Sequence, residues 1–156
     1  MITGYASMQV SLEKTTATYR ISSYETTAVT IAYPAQAEKA QQDDSGLYLS
    51  QSLLEHETLT ESFVIMPDKL LRRWAPAAFE KLQQDHFATL LDYRPEIVLF
   101  GSGPRIRRPE TALLAPLINQ GIGVEIMDIG AACRTYNILM ADDRYVAAAL
   151  LLGTDS

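Results

Sequence analysis

The second half of the 156-residue chain alternates between short apolar runs and stretches in which apolar residues recur at helical spacing. Residues 96–100 (EIVLF) and 123–127 (GVEIM) are runs of the kind that form strands buried on both faces of a parallel sheet. Asp128 is placed to cap a helix that continues to about Met140, and residues 144–152 predict a last strand. This order of strands and helices predicts an open α/β sheet.

Two further helical segments are predicted, one before and one after the first of these strands. Apolar residues recur at helical spacing over residues 79–91, with Asp85 available to cap a short last helix. After the loop of residues 101–109, a second helix is expected to end at Gly121, which suits a C-terminal cap. Pro116 within that stretch is tolerable only in the first turn or at a kink.

The first half of the chain predicts β-structure interrupted by polar segments. Apolar residues alternate with polar or small ones over residues 27–33, as in a half-buried strand, and Pro34 is expected to end it. Residues 63–66 predict another short strand. Residues 34–58 are mostly polar and are expected to form a loop or insertion. Residues 1–18 lack a clear period and are expected to form a loosely ordered arm.

Length and composition indicate one domain over residues 19–152, with a short tail at residues 153–156. The net charge is -6, and most of the acidic surplus lies between residues 38 and 68, which disfavours nucleic-acid binding through bulk charge. Cys133 is the single cysteine, so an internal disulfide is excluded and a reducing compartment is indicated. The longest apolar run, residues 145–152, is far shorter than the roughly 20 residues of a membrane span.

The first candidate for chemistry is a glycine turn, Gly101-Ser102-Gly103, directly after the first buried strand. Ligands of α/β sheets usually sit at such strand ends, and glycines let backbone amides approach an anion. Ile106 stands where the dinucleotide fingerprint has its third glycine, and the phosphate-binding loop ending in Gly-Lys-Ser/Thr is absent. Ser102 also lacks the flanking glycines of a nucleophile elbow. The motif fits either a structural turn or a ligand-facing loop.

Arg105, Arg107 and Arg108 follow the glycine turn at once. Three guanidinium groups beside glycine amides can hold a phosphate, a carboxylate or an acidic segment of a protein partner. A run of charge in a loop, however, is most often a solvated surface. Both interpretations stay open at this point.

Asp128, Arg134 and Asn137 carry the densest polar chemistry after the second buried strand. Arg134 and Asn137 are three positions apart and share a helix face, and Asp128 is placed at the positive end of the helix dipole. One interpretation is helix capping and helix-to-sheet hydrogen bonding. The other is a polar pocket made by these three side chains and the Gly101–Gly103 loop.

Cys133 lies early in the same predicted helix. A thiol near a helix N-terminus can be reactive and sense redox changes, whereas a buried cysteine is inert. Cys133, His56 and His86 are too widely separated to show metal-ligand spacing. We therefore expect no metal and no cofactor.

Four ordered motifs resemble one family: the family of small domains of unknown function that includes the mitochondrial NADH:ubiquinone oxidoreductase (complex I) assembly factor 3. The resemblance covers about residues 19–33 and 59–152. Its motifs are IVLFGSG at 97–103, GIGVEIMD at 121–128, ACRTYN at 132–137 and RYVAAALL at 144–151.

The resemblance implies a fold and a role. The fold is a three-layer α/β domain with a central, mostly parallel sheet, helices packed on it and an extra β layer from the N-terminal half. The role is help in assembling respiratory complex I at the inner membrane, without known catalysis. Family motifs carry over, with no catalytic duty attached, onto Gly101, Gly103, Asp128, Ala132, Tyr136, Asn137 and Arg144.

The leading hypothesis from the sequence is a non-catalytic binding or assembly protein that docks on a protein partner, such as a membrane-complex subunit. Docking would use the loop of residues 105–108 and the neighbouring sheet edge. The rival is a small-molecule binding protein or enzyme with a pocket for an anionic metabolite between residues 101–108 and 128–137. A third hypothesis is redox sensing by Cys133.

Location and oligomeric state follow less directly from the sequence. No Arg-rich, acid-poor leader is visible, which favours a bacterial cytoplasmic protein that meets a membrane only through its partner. The apolar run at residues 146–152 fits an internal strand and a dimer edge equally well, so the sequence leaves the oligomeric state open.

Overall fold

The computed structural model describes residues 18–35 and 54–153, which form two β-sheets and a set of short helices. The strands are β1 (Arg20–Tyr24), β2 (Val29–Pro34), β3 (Leu54–Leu59), β4 (Phe63–Met66), β5 (Lys69–Arg72), β6 (Ile97–Gly101), β7 (Gly123–Met127) and β8 (Val146–Leu150). The α-helices are α1 (Gln84–Ala88), α2 (Thr111–Asn119) and α3 (Ile129–Ala141). Two 3-10 turns, Phe79–Lys81 and Thr89–Tyr93, flank α1.

The larger sheet has five strands in the order β5-β4-β8-β6-β7. β6 pairs in parallel with both β7 and β8, as the alternation of strands and helices predicts. β4 pairs antiparallel with β8 and with β5, so the sheet is mixed. β4 and β5 are antiparallel because the tight turn Pro67-Asp68 that joins them permits only a hairpin.

β8 lies at the centre of the five-stranded sheet, and all five of its residues are buried. Its sequence, VAAAL, places small side chains toward both faces of the sheet, where other layers pack against it. The apolar run at residues 146–152 is therefore explained by an internal strand. β7, by contrast, is an edge strand with exposed and half-buried residues, so the prediction that residues 123–127 are fully buried was wrong.

The smaller sheet is an antiparallel meander of β1, β2 and β3. β2 ends at Pro34, as predicted, whereas β3 occupies residues 54–59 at the end of the segment expected to be a loop. β3 alternates between exposed and half-buried residues and contains two glutamates, which is why its sequence resembles a polar loop. The meander is the extra β layer that the family resemblance implies.

Helices α1 and α2 cover one face of the five-stranded sheet and α3 with the meander covers the other, which confirms the three-layer α/β fold class. On one face, α3 and the meander bury residues such as Ile31, Phe63 and Tyr136 together. On the other face, α1 and α2 pack with Phe87, Leu117 and the side chain of Trp74. No helix in the described ranges is long and apolar enough to cross a membrane.

The helical stretch over residues 79–91 is broken into a 3-10 turn, α1 and a second 3-10 turn. Gln83, rather than the predicted Asp85, caps α1: its backbone N–H donates to His86 Nδ1 at 2.9 Å, as part of a reciprocal capping box. Three parts of the predicted organisation lie outside the described residues. They are residues 1–17 of the predicted arm, residues 36–53 of the predicted loop and residues 154–156 of the predicted tail. The boundaries of the domain remain a prediction.

Candidate binding site at the carboxyl ends of the parallel strands

The loop after β6 and the start of α3 are hydrogen-bonded to each other through their backbones. The Ser102 N–H donates to the Met127 carbonyl, and the Ile129 N–H donates to the Gly103 carbonyl, each at 2.9 Å. The chain after β8 joins them, since the Leu151 N–H donates to the Gly101 carbonyl at 2.9 Å. The sequence-predicted residues 101–103 and 128 therefore meet at one end of the sheet.

The two glycines of this turn have different physical roles. A Cβ on Gly101 would lie 2.8 Å from Leu150 Cδ2 and 3.2 Å from Ala132 Cβ, so glycine lets α3 pack closely on the sheet. Gly103 has a φ of +134°, a conformation that side-chain-bearing residues rarely adopt, and a Cβ there would meet no atom within 4 Å. Gly101 is required for packing, whereas Gly103 is required for the backbone turn and faces open space.

The Ser102 hydroxyl shapes the loop. The side chain is buried, its Oγ donates to the Arg105 carbonyl at 2.8 Å, and the same Oγ accepts from the Arg107 N–H at 2.8 Å. Within the described residues its hydrogen-bond partners are backbone groups, and no base that could activate it as a nucleophile is among them. Ser102 stabilises the turn that presents the arginines.

The three arginines are not equivalent. The Arg107 guanidinium lies 4.2 Å from the centre of the Phe79 ring and donates a hydrogen bond to Glu80, and its side chain is 35% exposed. This hydrogen bond lowers the pKa of the Glu80 carboxyl. Arg105 and Arg108 are exposed, and within residues 18–35 and 54–153 neither forms an ion pair.

The polar side chains of α3 hold the meander. Asp128 accepts a hydrogen bond from the Ala131 N–H at 2.8 Å and so caps the helix. Arg134 donates to the Tyr24 hydroxyl and lies over that ring. Asn137 accepts from the Ile21 N–H at 3.0 Å and donates to the Ile21 carbonyl at 2.7 Å.

Tyr136 adds a further hydrogen bond next to β1. Its hydroxyl donates at 2.7 Å to the carbonyl of Tyr19, the residue that immediately precedes the strand. Burial raises the pKa of this hydroxyl. Helix-to-sheet hydrogen bonding was one of the two interpretations of Arg134 and Asn137 from the sequence. The sequence did not indicate that Tyr24 is the partner of Arg134 or that Tyr19 is the partner of Tyr136. The only sequence signal that marks both Tyr136 and Asn137 is the family motif at residues 132–137.

Cys133 lies on the core side of α3 and is 1% exposed. Burial raises the pKa of its thiol to about 12, so the thiolate is scarce at neutral pH. In the part of the chain that the structure describes, no group of three or more His, Cys, Asp or Glu side chains is placed to hold a metal ion.

A small crevice of about 50 Å³ opens beside the glycine turn. It lies between the loop after β6, the chain after β8, the turn between β1 and β2 and the segment that leads to the first 3-10 turn. Asp128, Arg134 and Asn137 are not among its lining residues, which are Thr26, Ala77, Phe79, Ser102, Gly103, Pro104, Arg105, Arg107, Leu151 and Gly153. Thr26, Phe79 and Gly153 could not be associated with the loop from the sequence, because they come from distant parts of the chain.

A model of a family of unknown function, DUF498/DUF598, matches residues 49–151. The chain belongs to this family. The match includes the glycine turn, α3 and β8, whereas Thr26 and Gly153 of the crevice lie outside it.

Relatives of this DUF498/DUF598 member include proteins named NADH dehydrogenase [ubiquinone] 1 alpha subcomplex assembly factor 3. The human protein is 33% identical over 89 residues, which are 56% of this chain and 48% of the relative. The Xenopus tropicalis protein is 27% identical over 107 residues, 67% of this chain and 58% of the relative. The chain thus spans about half the length of these relatives. A Francisella tularensis relative, 28% identical over 72 residues (46% of this chain, 58% of the relative), is named 13 kDa major membrane protein.

Solved structures share the fold. A crystal structure from Bordetella parapertussis has a TM-score of 0.67 and 25% identity, and the comparison covers 88% of this chain and 98% of that one. An NMR structure from Xanthomonas campestris has a TM-score of 0.65 and 30% identity, with 87% and 86% of the two chains covered. A third structure, from Bordetella pertussis, is described as an Mth938-like domain, with a TM-score of 0.52, 23% identity and 88% and 87% of the two chains covered.

Proposed function

We propose that the protein is a non-catalytic binding protein that helps to assemble a membrane-bound protein complex. The relatives named complex I assembly factor 3 support this role. The chemistry of the site supports it too, since the Ser102 hydroxyl is bonded within its loop and burial raises the pKa of the Cys133 thiol. The partner would bring the protein to the membrane.

The proposed docking surface is the exposed part of the loop after β6: Arg105, Ile106 and Arg108. Ile106 is 57% exposed and lies between arginines, in a chain with a net charge of -6. An exposed apolar side chain flanked by guanidinium groups suits an acidic segment that carries an apolar anchor. This combination is the observation that carries the proposal.

The neighbouring edge strand β7 extends this surface. β7 pairs only with β6 among the described strands, so one row of its backbone groups is available to a partner strand. Arg107 is assigned to the loop itself, because it is already held by Phe79 and Glu80.

The test is affinity capture of the tagged full chain from its native host, with membranes solubilised mildly. The variant is Arg105→Glu/Arg108→Glu. The matched control is Arg20→Glu/Arg94→Glu, which makes the same charge change at two exposed arginines away from this loop. Wild type and control should both recover a defined membrane-complex subunit, and the loop variant should lose it while its melting temperature stays nearly unchanged.

Two outcomes would contradict the proposal at different points. Full capture by Arg105→Glu/Arg108→Glu would remove the docking role of the loop while leaving an assembly role elsewhere on the surface. Recovery of no defined complex subunit by wild type would remove the assembly role itself.

A further inference from the structure

The crevice beside Gly103 occupies a special position in the topology of the sheet. β6 lies between β7 and β8, with all three strands parallel. The chain that leaves β6 forms α2 on one face, whereas α3, which leads from β7 to β8, covers the other face. The connections that leave the carboxyl ends of β6 and β7 therefore lie on opposite faces of the sheet. Open α/β sheets bind ligands at such switch points, and this one lies between β6 and β7, next to the crevice, whose lining comes in part from the loop after β6 and the chain after β8.

The lining of the crevice is suited to an anion. Arg105 and Arg107 both line it, and Arg107 is already positioned by the Phe79 ring and Glu80. Holding a guanidinium in place before a ligand arrives reduces the entropy lost on binding. Thr26 lines the opposite side and carries a hydroxyl donor.

The backbone at Gly103 is open on the same side. Gly103 is buried as a whole, but a Cβ built on it would meet no atom within 4 Å, so this side of the residue borders open space. Glycine permits close approach of an anion to backbone amides, as in phosphate-binding turns. Side-chain donors and the backbone of a glycine turn thus border one small space.

The size of the crevice limits what it can take. Its volume of about 50 Å³ exceeds the roughly 30 Å³ share of one water molecule but is far below the roughly 300 Å³ at which pockets enclose whole organic ligands. We propose that this crevice, between the loop after β6 and the chain after β8, binds one compact oxyanion group of a small molecule, a phosphate or a carboxylate. The proposal does not rest on the docking role, although Arg105 belongs both to the docking surface and to the lining of the crevice.

The test is an NMR titration of the ¹⁵N-labelled full chain with inorganic phosphate and, separately, with acetate, at constant ionic strength set by chloride. Saturable shifts of the Gly103 and Gly153 amides are expected, and the stronger of the two anions identifies the phosphoryl or carboxylate preference. If neither anion gives a saturable shift at these glycines, or if chloride gives the same shifts, the proposal is wrong.

A pair of matched variants locates the site. Thr26→Glu places a carboxylate in the crevice, whereas Thr27→Glu adds the same charge at the exposed neighbour that does not line it. Thr26→Glu should weaken binding of the preferred anion by at least about tenfold, the loss of one charge-assisted interaction, while Thr27→Glu stays near wild type. Equal weakening by both variants would mean that the anion responds only to the overall charge of the protein, and would overturn the proposed site.

The arginines supply a second measurement. Arg105→Gln/Arg107→Gln should also weaken anion binding by about tenfold or more. Arg108→Glu, which changes the docking surface but no residue of the crevice, should leave the glycine shifts in place. Two results together separate the two proposals. Arg108→Glu should lose partner capture and keep anion binding, whereas Thr26→Glu should keep partner capture and lose anion binding.

Discussion

Asn137 is the residue through which α3 holds the first strand of the meander. Its amide bonds both backbone groups of Ile21, which lies 116 positions away in the sequence. The side chain thereby completes an edge of β1 that no neighbouring strand pairs with in the described sheet. Asn137 is thus a structural clamp that makes the helix-to-sheet hydrogen bonds that were one of the two interpretations of the sequence, and an amide is needed because it both donates and accepts.

Replacing Asn137 with Ala should destabilise the protein. The change removes two hydrogen bonds and leaves a part-buried N–H and C=O without their partner, so the free energy of unfolding should fall by about 2 kcal/mol. Ile138→Ala is the control, because its side chain is 64% exposed and its loss should cost at most about 0.5 kcal/mol. Urea unfolding of both variants measures the difference, and equal losses would argue against the clamp.

At the scale of elements, the way α2 accommodates a proline depends on another helix. Pro116 lies inside α2 and cannot donate to the Ala112 carbonyl four positions earlier. Gln84 of α1 donates its side-chain amide to that carbonyl at 3.0 Å. The helix continues past Pro116 with this backbone acceptor satisfied, a compensation that the sequence around Pro116 does not indicate.

The packing of α3 on the sheet depends on Gly101. In Gly101→Ala, the new methyl group would overlap the end of the Leu150 side chain and press on Ala132 and Ile129 of α3, so the Leu150 side chain must move and α3 must give slightly. We expect a loss of about 1–3 kcal/mol in the free energy of unfolding, as for overpacked cores. Gly123→Ala is the matched strand variant, since the nearest atom would lie at 3.7 Å, and it should be neutral or slightly stabilising. Thermal and urea unfolding distinguish them, and a tolerated Gly101→Ala would show that the layers are not in close contact there.

At the scale of the whole molecule, two cores share the strands β4, β6 and β8. Trp74, the single tryptophan, belongs to the core on the α1/α2 face, where its Nε1–H donates to the His86 carbonyl. Cys133, the single cysteine, belongs to the core on the α3 face. Since the same strands contribute to both cores, neither layer is expected to unfold without the other.

The two probes test this cooperativity in one protein. Tryptophan fluorescence and the reactivity of the Cys133 thiol toward a maleimide should change at the same urea midpoint. In the native protein the thiol should be almost unreactive near neutral pH, because burial raises its pKa to about 12. Thiol reactivity that appears at lower urea than the fluorescence change would mean that α3 and the meander open separately. A rapid reaction of the thiol with maleimide in native buffer would instead support redox sensing by Cys133.

Local sequence patterns predicted most strands and helices of the second half of the chain, and the family resemblance implied how they are layered. Asp128 caps α3 as expected, residues 96–100 form a buried strand within one residue of the prediction, and the end of β2 at Pro34 was correct. These features depend on neighbours within one turn or a few strand residues, so periodicity and capping chemistry are enough to reveal them. The alternation over residues 96–152 likewise determined the parallel part of the sheet.

Tertiary structure decided the order of the strands and the composition of the site. Only folding places β8 at the centre, leaves β7 at the edge and adds β4 and β5 antiparallel. It also directs Arg134 and Asn137 to β1 and brings Thr26 and Gly153 to the glycine turn. The reason is physical: strand pairing and side-chain partners form between segments far apart in the chain, and their choice depends on which faces remain to be buried once the layers meet.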